Sequence, residues 1–241
     1  MRFILYSILT CSALLFSFTG RSDDKVLRIS TLEVYPAGFK ENGQEKGFLY
    51  EISNEIAERA GLEYVNILKP YSRVVNDLNT GKSDFSLLSY NQPLEGKTIR
   101  IMPLLYFKTI VVGQKGNNIS SLTELAGKDV GIVRGASLLP NRELDKMNLI
   151  RTKNFEQGIK MLKLGRLHAF ISADIGMYYT MKKLNFSKED FGEPYIVNRK
   201  ASELQISHRF SDEKTIKKLK SSAEELVKDG TIKMILSKYV D

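Results

Sequence analysis

The stretch Leu78–Leu87 reads LNTGKSDFSL, and it is echoed later in the chain by Leu162–Ile171, which reads LKLGRLHAFI. In each copy the end of an amphipathic helix is followed by a glycine, a basic residue and an apolar strand. Glycine suits a helix C-terminus because it adopts positive φ at little steric cost, and a basic residue stabilises the negative end of the helix dipole. The two copies predict two similar α/β lobes with a ligand-binding cleft between them. Two unrelated helix–turn–strand units are the alternative, since such turns are common.

The first residues have the composition of an export signal. A short basic start is followed by Phe3–Phe18, a mostly apolar run without charge that is too short to cross a bilayer as a helix. Ser17 and Thr19 are small residues at the −3 and −1 places of a cleavage site. We therefore predict a signal peptide over residues 1–20 and a periplasmic location. An uncleaved anchor is the alternative.

Cysteine content and charge limit the classes of function. Cys11, the single cysteine, lies in the apolar run, so the processed chain has no disulfide and depends on its core for stability. The residues before Cys11 match a lipoprotein signal poorly, although lipidation stays an alternative. The formal net charge is +8, with one basic cluster at Lys214–Lys220. Because the chain has no Trp and no interleaved aromatic–basic motif, we interpret this cluster as a solvated helix face and expect no nucleic-acid partner.

Strands and helices alternate along the remaining chain, which is typical of a largely parallel sheet. Hydrophobic spacing and turn residues predict strands at 26–31, 64–67, 84–88, 109–113, 128–133, 149–151, 168–171, 193–197 and 203–207. They predict helices at 49–60, 72–79, from 137 to about 146, 154–164, 174–183, 211–227 and 231–239. We predict lobe 1 as residues 25–113 plus 203–241 and lobe 2 as residues 114–202. Crossing segments near 113–116 and 198–202 would join the lobes as a hinge.

The sequence has no residue pattern that is typical of catalysis or of a metal site. His168 lies in an apolar strand and His208 is distant from it, so they do not form a metal-ligand cluster of the usual spacing. A Gly-x-Ser-x-Gly elbow is absent, and Gly131–Gly135 lacks the Gly-Lys-Ser/Thr ending of a phosphate loop. We therefore predict no catalytic residue, no metal and no cofactor.

Five motifs follow one another along nearly the whole mature chain. They are YPAGF (35–39), GFLYEISNEIA (47–57), LNTGKSD (78–84), LAGKDVGIVRGAS (125–137) and LVKDGTIKMILSKY (226–239). In this order they resemble the family 3 extracellular solute-binding proteins, the periplasmic receptors of polar amino acid ABC importers. The resemblance implies a type II periplasmic-binding-protein fold, in which two α/β lobes, each a mostly parallel sheet flanked by helices, close on a small solute. It also implies a membrane permease as partner.

The resemblance implies ligand contacts in the loops that follow strands. Aromatic residues are expected to enclose the solute, polar residues to lie at the lobe 1 rim, and the turn before the predicted helix at Ser137 to bind an anionic group through its N–H groups. The simpler alternatives are core packing, turn residues, helix capping and surface charge. The candidate ligand-binding residues are Tyr35, Phe39, Tyr71, Ser89, Asn91, Arg134, Ser137 and Asp174.

The chain departs from the family pattern at two charged positions. The family arginine that binds the ligand carboxylate falls on Gly96, and the adjacent Lys97 cannot form the same bidentate pair. The family acid that holds the ligand amino group falls near Ala173, one residue before Asp174. Asp174 either takes that role or caps the next helix. We expect a small polar solute, amino-acid-like or anionic.

Two other functions stay open from the sequence. A ligand-sensing or partner-binding module on the same fold would explain the missing arginine. A dehydratase-like enzyme would need a carboxylate base in the cleft, for which Asp174 and Glu95 are the candidates. A monomer is expected for a receptor that diffuses.

Overall fold

The structure, a computed structural model, describes residues 26–89 and 94–240. The predicted signal peptide at 1–20 and the candidate ligand residue Asn91 lie outside these ranges. Within the ranges, no helix has both the length and the apolar character that crossing a bilayer requires.

Strands and helices alternate as predicted. The strands are β1 (Leu27–Leu32), β2 (Phe39–Glu41), β3 (Gln44–Lys46), β4 (Tyr64–Lys69), β5 (Phe85–Leu88), β6 (Thr98–Gly113), β7 (Asp129–Val133), β8 (Asn148–Thr152), β9 (Ala169–Ala173) and β10 (Tyr195–Ser207). The helices are α1 (Phe48–Arg59), α2 (Tyr71–Thr80), α3 (Asn141–Leu144), α4 (Phe155–Lys163), α5 (Asp174–Lys183), α6 (Glu213–Lys228) and α7 (Thr231–Val240). Short 3-10 helices span Leu122–Leu125 and Lys188–Asp190.

Eight strands form one mixed sheet in the order β4-β1-β5-β10-β6-β9-β7-β8. The strands β4, β1 and β5 are parallel to one another, as are β8, β7 and β9, and the long antiparallel pair β10–β6 lies in the middle. We call β4, β1 and β5 with α1, α2, α6 and α7 the β1 side, and β8, β7 and β9 with α3, α4 and α5 the β7 side. The predicted fold, two similar units with mostly parallel strands and flanking helices, is confirmed.

The two copies of the repeat occupy equivalent places in this sheet. The unit α2–Gly81–β5 lies next to β10, and the unit α4–Gly165–β9 lies next to β6. Gly81 and Gly165 both have φ of 71°. The glycine in each copy therefore provides the left-handed residue that ends the helix and returns the chain to the sheet.

Each side has its own apolar core. On the β1 side, Ile52 and Ile56 of α1 and Leu219 of α6 are fully buried with the strands. On the β7 side, Phe170 of β9 packs against α4, where a Cβ on Gly158 would lie 2.2 Å from the Phe170 ring. The close approach of α4 to the sheet explains a glycine inside that helix, where it otherwise costs stability.

The helix predicted from Ser137 to about residue 146 is wrong. The chain is irregular from residue 134 to 140, and only Asn141–Leu144 are helical. Pro140 disfavours a helical conformation at the residue before it, and Leu139 is instead buried in the core. Ser137 therefore does not lie at a helix N-terminus.

Three other segments differ from the prediction in extent. The loop expected over residues 40–46 contains the β2–β3 hairpin, whose Asn42–Gly43 turn has φ of 52° and 79°, as a two-residue type I′ turn requires. The strand expected at 109–113 is the end of β6, which pairs with β9 from Thr109 onward. The segments 193–197 and 203–207 belong to the continuous strand β10. The lobe boundaries at 113 and 203 stay a prediction.

Candidate functional site

A cavity of about 550 Å³ lies between the β1 side and the β7 side. Its lining comes from the segments that follow β1, β4 and β5 and from the segments that follow β7, β8 and β9, together with parts of β6 and β10. Ligands of open α/β sheets bind at the carboxyl ends of the strands. The volume also falls in the range of small-molecule sites. This cavity is therefore the candidate site.

Aromatic side chains of the β1 side form part of the lining. Tyr35 follows β1 and stacks on Phe39, with ring centroids 4.2 Å apart. The Tyr35–Pro36 peptide bond is cis. Tyr71 begins α2, and burial raises the pKa of its hydroxyl, while a hydrogen bond with the Ser137 side chain acts in the opposite direction. These rings reach the cavity because each follows a parallel strand, and the carboxyl ends of these strands lie at the cavity.

The β7 side contributes the loop that follows β7. The Arg134 N–H donates to the Thr152 carbonyl at 2.9 Å, and Gly135 turns the chain with φ of 81°. The Lys200 ammonium group on β10 donates to the Ser137 carbonyl at 3.0 Å, and burial lowers the pKa of Lys200. The loop therefore has a defined position although it is not helical.

The structure brings together most of the predicted ligand residues. Those that line the cavity are Tyr35, Phe39, Tyr71, Ser89, Arg134 and Ser137. Their contact with a solute stays a prediction. Asn91 belongs to the residues that the structure does not describe.

Asp174 does not line the cavity. Its Oδ1 accepts hydrogen bonds from the Lys108 N–H at 3.0 Å and from the Ile175 N–H at 2.9 Å. The lining residue at this point is Ala173, which is the N-cap of α5, so Asp174 is the first helical residue rather than the cap. The carboxylate thus joins α5 to β6.

Gly96, the position at which the family arginine was expected, also provides no side chain that could bind a ligand. Gly96 lies in an exposed turn with φ of 65°, and neither it nor Lys97 lines the cavity. The two departures seen in the sequence are therefore present in the geometry as well.

Sequence reasoning missed part of the β7-side lining, namely Lys153, Asn154 and Phe155. Asn154 caps α4 by accepting from the Gln157 N–H at 2.9 Å, and the Lys153 N–H donates to Gln157 Oε1 at 2.7 Å. The spacing of Asn154 and Gln157 in the sequence is itself typical of a helix N-terminus. It marked the end of β8 and the start of α4, but it did not show that β8 pairs in parallel with β7 and ends at the same edge.

The two sides touch each other around the cavity. Tyr71 of the β1 side lies next to Gly135 of the β7 side, since a Cβ on Gly135 would be 3.7 Å from the Tyr71 Cβ. The Lys183 ammonium group on α5 lies 4.6 Å from the centroid of the Tyr35 ring, and the Tyr179 ring lies 6.2 Å from it. The two sides are therefore in contact with each other beside the cavity.

Comparisons with known proteins show the family of the chain and relatives of its fold. A family model described as bacterial extracellular solute-binding proteins, family 3, matches residues 27–241. The probable amino-acid-binding protein YxeM of Bacillus subtilis (strain 168) is 29% identical over 229 residues, which cover 92% of this chain and 86% of that protein.

Two solved structures share the fold at lower identity. An ancestral arginine-binding protein bound to arginine has a TM-score of 0.73 and 22% identity, covering 90% of this chain and 98% of that chain. A histidine kinase sensor domain with similarity to periplasmic binding proteins has a TM-score of 0.75 and 17% identity, covering 90% of this chain and 96% of that chain.

Proposed function

Because the chain belongs to the bacterial extracellular solute-binding proteins of family 3, we propose that it captures a small amino-acid-like or anionic solute in the cavity between the β1 side and the β7 side. The relative from Bacillus subtilis, named a probable amino-acid-binding protein, supports this class of solute. We further propose export by the signal peptide at residues 1–20, a periplasmic location, a monomeric state and delivery of the solute to an ABC importer.

The proposal depends on one observation: residues of both the β1 side and the β7 side line the cavity. Contacts such as that of the Lys183 ammonium group with the Tyr35 ring form when the two sides approach each other. A solute that touches both linings binds more tightly to the closed arrangement than to an open one. Its binding therefore shifts the equilibrium toward closure by that difference in affinity.

An enzymatic role has less support in the lining. A dehydratase-like reaction needs a carboxylate base close to the substrate. Asp174 accepts two backbone hydrogen bonds outside the lining, and Glu95 is not a lining residue either. Glu33 is the acidic residue among the described lining residues, and it is exposed to solvent. We therefore propose a binding protein that has no catalytic residue.

A sensor is the second candidate function, and the similarity to a histidine kinase sensor domain favours it. Both functions need the same closure on a solute, so the cavity does not separate them. They differ in what recognises the closed form, a permease or a signalling partner. Uptake of the identified solute by cells with and without the gene separates them, because only an importer receptor is required for uptake.

A thermal-shift screen of the processed protein tests solute capture. The panel contains amino acids, small carboxylates, polyamines and sugars. A solute at about 100 times its Kd adds about 2.7 kcal/mol to the free energy of unfolding and raises Tm by several degrees. Ser89→Trp, which fills the lining, should abolish the shift, whereas Ser221→Trp on the exposed face of α6 should not. No shift with any solute would refute the proposal.

A further inference from the structure

Positive charge predominates in the cavity. Among the described lining residues, Lys40, Arg134 and Lys153 are basic and Glu33 is acidic. Arg134 and Lys153 directly follow β7 and β8, whose ends pair in register at Val133 and Thr152. Because neighbouring strands lie about 4.8 Å apart, the two basic residues start side by side.

These two basic groups are available to a ligand. In the part of the chain that the structure describes, neither the Arg134 guanidinium nor the Lys153 ammonium group has an acidic partner. Both side chains are exposed to solvent. A guanidinium binds a carboxylate through two parallel hydrogen bonds, and a neighbouring ammonium group adds a second positive charge. Together they suit one carboxylate.

Among the described residues, the lining next to Arg134 and Lys153 has no carboxylate that could pair with a positive charge. In an α-amino acid the ammonium and carboxylate groups share one carbon, so a carboxylate beside Arg134 and Lys153 brings the ammonium close to them. Asp174 is bound to the Lys108 N–H, and Ala173 takes its place in the lining. Glu33 follows β1 on the opposite side of the cavity. An α-ammonium would therefore meet like charges and lack a carboxylate partner.

A large part of the remaining lining is apolar and suits an apolar body. Phe39, Leu88, Phe155 and Ile171 are buried and line the cavity from both sides. Apolar surface of a ligand that is removed from water here gains free energy, whereas a charged group without a partner loses it.

We propose that the solute is a monocarboxylate anion with an apolar body and no α-ammonium group, and that Arg134 and Lys153 bind its carboxylate. This inference rests on the proposed function, because it names the class of solute for the same cavity.

Calorimetric titration with matched probes tests it. The first set of probes shares a phenylethyl skeleton. 3-Phenylpropanoate carries only the carboxylate, L-phenylalanine carries the carboxylate and the ammonium group, and 2-phenylethylamine carries only the ammonium group. The set 4-methylpentanoate, L-leucine and 3-methylbutylamine repeats the comparison with an aliphatic body. In at least one set we expect the carboxylate to bind roughly tenfold tighter than the amino acid, and the amine to bind weakest.

Charge variants assign the effect to the two residues. The double variant R134Q/K153Q should weaken binding of the carboxylate by roughly tenfold or more. The matched control R142Q/K217Q changes two exposed basic residues that are not in the lining and should leave the affinity unchanged. E33Q should keep or increase the affinity for the carboxylate. Equal affinity of R134Q/K153Q and the native protein would overturn the assignment.

The outcomes separate this inference from the proposed function. Amino acids that bind as tightly as their carboxylate analogues would overturn the inference and leave solute capture standing. Binding of a sugar or polyamine alone would also overturn the inference, and it would leave solute capture standing while contradicting the proposed class of solute. If no solute of the wider panel binds, both the proposed function and the inference fail.

Discussion

The Arg28 guanidinium and the Asp84 carboxylate form two hydrogen bonds, at 3.1 Å from Nε and 2.6 Å from Nη2. The Arg28 N–H donates to the same carboxylate at 2.8 Å, and Nη2 also donates to the Gly81 carbonyl at 2.7 Å. The side chain of Asp84 is 2% exposed. The aspartate of the first repeat copy thus joins the glycine turn after α2 to β1. Its role is structural rather than ligand-binding.

Replacing this aspartate should destabilise the protein. In Asp84→Asn the buried carboxylate loses its charge and Arg28 loses its partner, which should lower the free energy of unfolding by about 2 kcal/mol. Urea denaturation measures the loss. The matched variant Lys82→Gln, at an exposed position of the same turn, should change stability by less than about 0.5 kcal/mol. An unchanged midpoint for Asp84→Asn would contradict the structural role.

The last helix is held to α1 by Tyr239. Its hydroxyl hydrogen-bonds with Glu51 and accepts from the Gly47 N–H at 3.0 Å. Burial, and then the hydrogen bond with Glu51, raise the pKa of Tyr239 above its usual value of 10.0. The folded protein therefore holds this proton more tightly than the unfolded chain. The resulting stabilisation is complete below about pH 10 and is lost as the pH rises from there toward the folded-state pKa.

Tyr239→Phe should therefore change both stability and its pH dependence. At neutral pH the variant should lose about 1 kcal/mol, the net value of a hydrogen bond. Between about pH 9 and pH 11 its unfolding free energy should fall less steeply than that of the native protein. Urea denaturation at several pH values measures the two slopes. Equal slopes would mean that Tyr239 does not titrate differently in the two states.

Gly176 controls the position of a lining side chain. A Cβ at this residue would lie 2.5 Å from Cζ of Phe155, and both residues line the cavity. Gly176→Ala should lower the free energy of unfolding by about 1–3 kcal/mol because the ring must move, although alanine alone would favour the helix. The affinity for the solute should fall as well.

A second-site variant identifies the cause of that effect. Phe155→Leu in the Gly176→Ala background restores space at the clash, so it should recover part of the lost stability, measured by thermal unfolding. A double variant that is no more stable than Gly176→Ala would show that overpacking against Phe155 is not the reason.

Two threonines of β6 provide a matched pair. Thr109 is fully buried and its hydroxyl has no hydrogen-bond partner among the described residues, whereas the Thr98 hydroxyl donates to Gln205 Oε1 at 2.8 Å. Thr109→Val should keep or raise stability, by up to about 1 kcal/mol. Thr98→Val leaves the buried Gln205 without this bond and should cost about 1–3 kcal/mol. Urea denaturation of both variants tests the contrast, and a larger loss for Thr109→Val would contradict it.

The repeat could be predicted because it depends on local chemistry. The glycines at 81 and 165 end their helices with a left-handed residue, which the sequence shows directly. The turn after β7 predicts a helix from Ser137, but Pro140 disfavours a helical conformation at Leu139, and the segment is irregular. The hairpin at Asn42–Gly43 carried a sequence signal of its own, the Asn-Gly pair typical of type I′ turns.

The site was harder to predict because it depends on which strands lie side by side. Six candidate residues could be placed since each follows a strand or begins the next element. Lys153 could not be predicted as a lining residue because the pairing of β8 with β7 belongs to the tertiary structure and has no local sequence signal. The orientation of Asp174 was open for a similar reason, since its acceptor role depends on Lys108, a residue distant in sequence.

The antiparallel pair β6–β10 has a consequence for the order in which the two sides can be completed during synthesis. Every strand and helix of the β7 side lies in one continuous segment, from Asp129 to Lys183. The β1 side instead needs α6 and α7 from the end of the chain, and the Ser207 hydroxyl reaches back across 129 residues to the Leu78 carbonyl. Contacts so distant in sequence form slowly. During translation β1, β4 and β5 therefore emerge first, yet their unit is the last to be completed.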